Sequence, residues 1–205
     1  SRFRTLNNMK KPLLIVVSAP SGAGKSTLCD RLLAEHEDIT YSVSCTTRCP
    51  RGEEVDGGAY YFLTSETFEV RAARGEFLEH ATVHGNRYGT LKETVRSAMT
   101  AGKSVMMDID VQGARQVRDA LAGLSPDDAM VRGFVDIFIQ PPSMLVLRER
   151  LEGRGEDAAD VIERRLENAA QEMACAEDYR YTVVNDDLAM AQSEIREILN
   201  REVTQ

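Results

Sequence analysis

Apolar residues in this chain gather into short continuous runs, and stretches of helical spacing follow them. Residues 13–18, 104–108, 135–140 and 182–185 are such runs, rich in Val, Ile, Leu and Met, and read as buried strands. Residues 25–35, 111–121, 143–152 and 188–203 carry the helical pattern. A longer helix is predicted over 157–177, where Val161, Ile162, Leu166, Ala169 and Met173 form one stripe for core packing. Ser143, after two prolines, and Asp187, before Leu188, read as helix N-caps. Strands alternating with helices predict an α/β fold with a central parallel sheet.

Two regions break this rhythm. Between residues 42 and 90, short segments rich in Thr, Tyr, Phe and Val are punctuated by Arg51-Gly52, Asp56-Gly57-Gly58 and Gly85-Asn86. They predict a small, mixed and mostly antiparallel insertion with one short helix near 65–74. Gly153-Arg154-Gly155 places an arginine between two glycines and two helices, the composition of a hinged flap. Residues 122–132 read as an extended surface loop. The expected organisation is a core of 12–41 and 92–205, an insertion at 42–91, a lid region at 142–165 and an N-terminal extension at 1–11.

The first strand runs directly into Ala19-Pro20-Ser21-Gly22-Ala23-Gly24-Lys25-Ser26-Thr27 and then a helix. Strand, glycine-rich turn and helix are the context of a phosphate-binding P-loop. Small residues let backbone N–H groups converge on phosphate oxygens, and the helix N-terminus adds its positive dipole end. Ser21, Gly22, Ala23, Gly24, Lys25, Ser26 and Thr27 are therefore the candidate nucleotide-binding residues. Lys25 reaches the β- and γ-phosphates, and the Ser26 hydroxyl suits Mg²⁺. The motif opens on Ala19 where glycine is usual, which keeps the turn provided that residue's φ is negative.

Composition narrows the setting. The chain has 205 residues, 42% hydrophobic and 28% charged, as in an ordinary globular domain. A net charge of −8 argues against general nucleic-acid binding, so anion-binding arginines must be concentrated locally. No apolar run reaches the ~20 residues of a membrane span, and none near the start has the form of a secretory signal. Cys29, Cys45, Cys49 and Cys175 lack metal-ligand spacing, which predicts free thiols in a cytoplasmic setting. His36, at the end of a predicted helix, reads as a surface residue.

A second anion site is legible in Ser44-Cys45-Thr46-Thr47-Arg48-Cys49-Pro50-Arg51, two arginines and three hydroxyls in eight residues. Further on come Gly57-Gly58-Ala59-Tyr60-Tyr61-Phe62, Glu76-Phe77-Leu78-Glu79 and Gly85-Asn86-Arg87-Tyr88-Gly89-Thr90. With Asp108-Ile109-Asp110-Val111-Gln112-Gly113, Arg150, Arg154, Arg165 and Val184-Asn185-Asp186-Asp187, these motifs in this order resemble the guanylate kinase family. The resemblance runs from about Pro12 to the last helix.

The resemblance implies Mg²⁺-dependent transfer of a phosphoryl group from ATP to GMP. It implies that Arg48, Arg51, Tyr60 and Tyr88 hold the GMP phosphate, and that Ser44, Glu79, Thr90 and Asp110 read the guanine. Glu79, an acceptor-only carboxylate, suits the N1–H and N2–H₂ donors of guanine, and the Thr90 hydroxyl suits donation to O6. Arg150, Arg154 and Arg165 correspond to lid arginines, Asp108 to a carboxylate acting on Mg²⁺ through water, and Asn185 to an adenine contact. Lys25, Arg48, Arg154 and Arg165 are the expected catalytic set. Arg148 and Arg164 have no counterpart and are expected at the surface, and Arg87 departs from the residues common in relatives. The implied partners are ATP and GMP, with dGMP, and the chain acts as a monomer or homo-oligomer. Scaffold domains of similar fold that have lost catalysis carry damaged P-loops, unlike this one. A kinase of ribose bisphosphates would not need the Glu79 and Thr90 pair, and a switch GTPase would carry an NKxD motif.

Overall fold

The fold is organised around a strand with no solvent-facing side. In the computed structural model, which describes residues 11–153, 155 and 158–204, β1 (Leu14–Ser18) is buried along its whole length. It pairs in parallel with two neighbours, which is why its sequence is continuously apolar rather than alternating.

In chain order the elements are β1, α1 (Lys25–Glu35), β2 (Ile39–Tyr41), β3 (Ser44–Thr46), β4 (Tyr60–Phe62), α2 (Ser65–Ala73), β5 (Phe77–Val83), β6 (Asn86–Leu91) and α3 (Lys92–Thr100). Then follow β7 (Ser104–Asp108), α4 (Val111–Ala122), α5 (Ala129–Arg132), β8 (Phe134–Gln140), α6 (Met144–Gly153), α7 (Ala159–Met173), a 3₁₀ turn (Ala174–Asp178), β9 (Tyr181–Val184) and α8 (Leu188–Glu202).

Five strands form a parallel sheet in the order β2-β7-β1-β8-β9. Side chains alternate across it. Leu13, Ile15 and Val17 pack on one face with Leu28 and Leu32 of α1 and Ile195 and Leu199 of α8. Leu14 and Val16 pack on the other with residues of α3, α4 and α5. The result is the expected three-layer α/β architecture.

A second sheet, ordered β4-β3-β6-β5, is mixed: β3 and β4 run parallel, while β6 is antiparallel to both β3 and β5. Its small core is Cys45, Phe68, Phe77 and Leu91, with the rings of Phe68 and Phe77 stacked at 4.5 Å. Helices α6 and α7 share a separate apolar cluster of Leu147, Leu151, Ile162, Leu166 and Ala169.

Several expectations change. The parallel sheet has a fifth strand, β2, of three residues. Helix α3 is not foreshadowed by a broad apolar stripe, since only Val95 and Met99 are buried on it. The long helix near 157–177 is shorter and ends in the 3₁₀ turn. His36 is buried, because the extended backbone at the α1 C-cap turns the chain back toward β2. The caps are as read: Ser143 Oγ accepts from Val146 N–H and Asp187 Oδ1 from Met190 N–H.

The segment 122–132 is not merely a surface loop. Asp128 caps α5 through Met130 N–H and pairs with Arg96 at 2.8 Å, and Met130 is fully buried beneath them. Replacing Met130 with alanine is expected to lower unfolding free energy by about 2–5 kcal/mol in a denaturant titration. A loss below about 0.5 kcal/mol would mark the segment as a passive loop.

Candidate active site

The chain turns in opposite directions from β1, toward β7 and β2 on one side and toward β8 and β9 on the other. Crevices at the C-terminal ends of strands form at such a switch point. The P-loop leaves β1 there. Gly22 and Gly24 adopt φ of +92° and +89°, a region closed to most side chains. Among the described residues only His84 is a non-glycine with positive φ, so Ala19 meets the condition its presence set.

The loop is held from below and from the side. A Cβ on Gly24 would lie 2.4 Å from the amide nitrogen of Asn185, which donates to Ala23 O at 2.8 Å. A Cβ on Gly22 would meet Leu147 and Leu151 of α6 at 2.9 and 3.1 Å. The P-loop is thus in van der Waals contact with the α6–α7 cluster. Asn185, expected beside adenine, is 5% exposed and supports the P-loop backbone, because β9 ends directly beneath it.

A cavity of about 370 Å³ is walled by the loop, including Lys25, Ser26 and Thr27, and by Glu172 of α7. Lys25 Nζ lies 2.5 Å from Asp108 Oδ1 at the end of β7 and 3.5 Å from Ile109 O. Asp110 caps α4, accepting from Gly113 N–H at 2.8 Å. Burial raises the Glu172 carboxyl above the usual range, with Asp110 adding to the effect, while Lys25 and the Ser21 N–H oppose it.

The second subsite lies on the mixed sheet. Both terminal nitrogens of Arg48 engage Glu54, at 2.7 and 2.9 Å, and its guanidinium sits 5.1 Å from the Tyr60 ring centroid. Glu54 also accepts from Arg51 N–H at 2.8 Å. The Arg48 hydrogen bonds and that backbone contact pull the Glu54 carboxyl down to about 2. Tyr60 and Tyr88 meet edge to face at 5.9 Å, and Tyr88, with Glu54, favours the charged form of Arg48. Ser44 is registered beside Tyr60 across β3 and β4, and Arg51 is exposed.

The β5–β6 register sets Glu79 directly opposite Thr90. Thr90 therefore donates its hydroxyl proton to Glu79 Oε1 at 2.8 Å, rather than keeping it for a carbonyl acceptor. Burial pushes the Glu79 carboxyl above the ordinary glutamate range, partly offset by the Thr90 bonds and reinforced by the nearby Asp110.

On α6, Arg150 donates to Asn185 O at 2.9 Å, joining that helix to the support of the P-loop. Arg165 lies on α7 beside the buried Leu166. Arg154 lies outside the described residues. Arg164 is exposed as expected, whereas Arg148 is tied to Glu163 across the two helices. Glu54 and Glu172 carry no sequence signal of a role, since their partners are set by the fold.

Fold and loop together define an α/β P-loop protein with a small mixed sheet that carries Glu79, Tyr60 and Tyr88. A family model described as guanylate kinase matches residues 10–202. The guanylate kinase of Symbiobacterium thermophilum is 47% identical over 195 residues, covering 95% of this chain and 88% of that protein. That of Neisseria meningitidis serogroup A is 48% identical over 191 residues, covering 93% and 88%. The crystal structure of guanylate kinase from Anaplasma phagocytophilum aligns with a TM-score of 0.65 at 34% identity, covering 96% of this chain and 88% of that one. The chain belongs to the guanylate kinase family.

Replacing Gly24 with alanine is expected to weaken tripolyphosphate binding about tenfold to a hundredfold by calorimetry, because the new Cβ strains the backbone and displaces Asn185. Unchanged affinity would show that the loop does not need its left-handed turn.

Proposed function

We propose that this chain transfers the γ-phosphoryl group of ATP to GMP, giving ADP and GDP. The observation that carries the reading is a half-buried acceptor carboxylate, Glu79, on the sheet that also bears Arg48, Tyr60 and Tyr88, beside a P-loop that keeps its lysine and hydroxyls.

ATP phosphates take the P-loop amides of residues 21–27, with Lys25 moving its ammonium onto the β- and γ-oxygens. The Lys25–Asp108 contact holds that ammonium at the mouth of the loop. Ser26 and Asp108 offer the hard oxygen donors that Mg²⁺ prefers while it keeps waters and phosphate ligands. When bound, Mg²⁺ neutralises developing charge on the phosphates.

The GMP phosphate takes Arg48, Arg51, Tyr60 and Tyr88. Glu54 and the Tyr60 ring hold the Arg48 guanidinium in a fixed plane before substrate arrives, which lowers the ordering cost of binding. Ionised Glu79 accepts from guanine N1–H and N2–H₂, with Asp110 and Ser44 completing the edge. Thr90 orients Glu79 and keeps acceptor capacity on its own oxygen. Adenine has a lone pair at N1 and no N2 amine, so it leaves this half-buried carboxylate without its donors.

An oxygen of the GMP phosphate, already ionised near neutral pH, bonds to the γ-phosphorus as the bond to the bridging β-oxygen breaks. No general base is needed, and rate comes from alignment and charge stabilisation. Arg150, Arg154 and Arg165 complete the clamp from the lid, and residues 42–91 form the GMP-binding unit. Asn185 acts here through the P-loop as well as toward adenine. A cytoplasmic setting is supported by the four free cysteines. No described helix is long and apolar enough to cross a membrane.

A coupled ADP-release assay is expected to favour GMP over AMP in kcat/KM by a factor on the order of 10⁴. Lys25→Met should abolish turnover while keeping the cooperative unfolding transition. Equal rates with AMP would overturn the guanine reading.

The raised Glu79 carboxyl takes up a proton at higher pH than an ordinary glutamate, and the protonated form loses an acceptor. As pH falls, kcat/KM for GMP should therefore decline from a point above the ordinary value of about 4.3. Glu79→Gln should lower GMP use and remove that acid limb. A limb that persists in the variant would assign it to another group.

A further inference from the structure

β5 is the edge strand of the mixed sheet, so part of its backbone faces away from β6. At His80 this outward face is filled by one side chain from the parallel-sheet core. Gln116 Oε1 accepts from His80 N–H at 3.0 Å, and Gln116 Nε2 donates to His80 O at 3.0 Å. The carboxamide thus satisfies both polar groups of His80 as a neighbouring strand would.

Gln116 sits on α4, whose N-cap is Asp110. Gln116 lies six positions after Asp110, a rigid span of about 9 Å along the helix. His80 directly follows Glu79. One helix therefore carries Asp110 at its start and, less than two turns on, grips the peptide next to Glu79. We propose that Gln116 is a positioning residue for base selectivity, fixing the separation of Glu79 and Asp110 by clamping His80 of β5 to α4. The inference rests on the guanine reading above.

The arrangement has the chemistry of a two-point gauge. Guanine presents N1–H and the N2 amine along one edge, and two acceptors on different elements can engage both only if their spacing is held. Among the described residues, Gln116 makes the polar bonds that join α4 to the His80 peptide. Without the clamp, β5 keeps its pairing with β6 and the packing of Leu78 against Ala114 and Val117 of α4, but loses the directional bonds that fix the His80 peptide relative to Asp110.

Gln116→Met keeps the length of the side chain and removes both hydrogen bonds. Wild type and variant are compared in steady-state turnover with GMP and with IMP, which keeps N1–H and O6 but lacks the N2 amine. The variant is expected to show a KM for GMP raised about tenfold and a GMP-over-IMP preference reduced about tenfold. KM for ATP and kcat should stay within about twofold. Gln116→Glu, which keeps the acceptor for His80 N–H alone, should fall between, and it decides the matter if the Met variant does not fold. An unchanged GMP-over-IMP preference in the folded variant would overturn the proposal. So would a loss shared equally by GMP, IMP and ATP, which marks a structural role only. A wild type without preference between GMP and IMP would instead overturn the base reading, and the inference with it.

Discussion

The site depends on bare backbone at Gly24. Its left-handed turn aims the loop amides into one cavity, and the space a side chain would need is held by the Asn185 amide, 2.4 Å from the would-be Cβ. Asn185 in turn bonds Ala23 O and, through its own carbonyl, receives Arg150. β1, P-loop, β9 and α6 therefore meet at one glycine. A residue that looks like a nucleotide contact in sequence is also the support of the loop that binds phosphate.

The acceptor half follows a different logic. Its groups are held by ion pairs and edge contacts on a small mixed sheet: Arg48 by Glu54, Glu79 by Thr90, and the Glu79 strand by Gln116. Strand β7 and helix α4 join the halves. Within three residues they set Asp108 against Lys25 and Asp110 near Glu79. One short segment of backbone thus links the P-loop lysine to the Glu79 sheet.

Much of this was legible in the sequence where the chemistry is local. Glycines at Gly22 and Gly24 followed by Lys25 specify a loop conformation and a charge in adjacent positions, and β1, buried on both faces, could only be a continuous apolar run. Short elements were not legible: β2 buries only Ile39 and α5 only Met130, too little for a period to register. The roles of Glu54, Gln116 and Glu172 depend on tertiary contacts, and the 36-residue separation of Gln116 from His80 leaves no local pattern. The Thr90–Glu79 bond is likewise absent from local pattern, because the strand register that presents Glu79 to Thr90 exists only in the fold.

The central claim is that donor and acceptor halves form one continuous two-nucleotide site. Calorimetric titration with adenosine and guanosine joined 5′ to 5′ through five phosphates tests it directly. The account predicts one ligand per chain, affinity well above that of ATP alone, and competition by both ATP and GMP. Affinity no higher than that of ATP, with no competition from GMP, would contradict it.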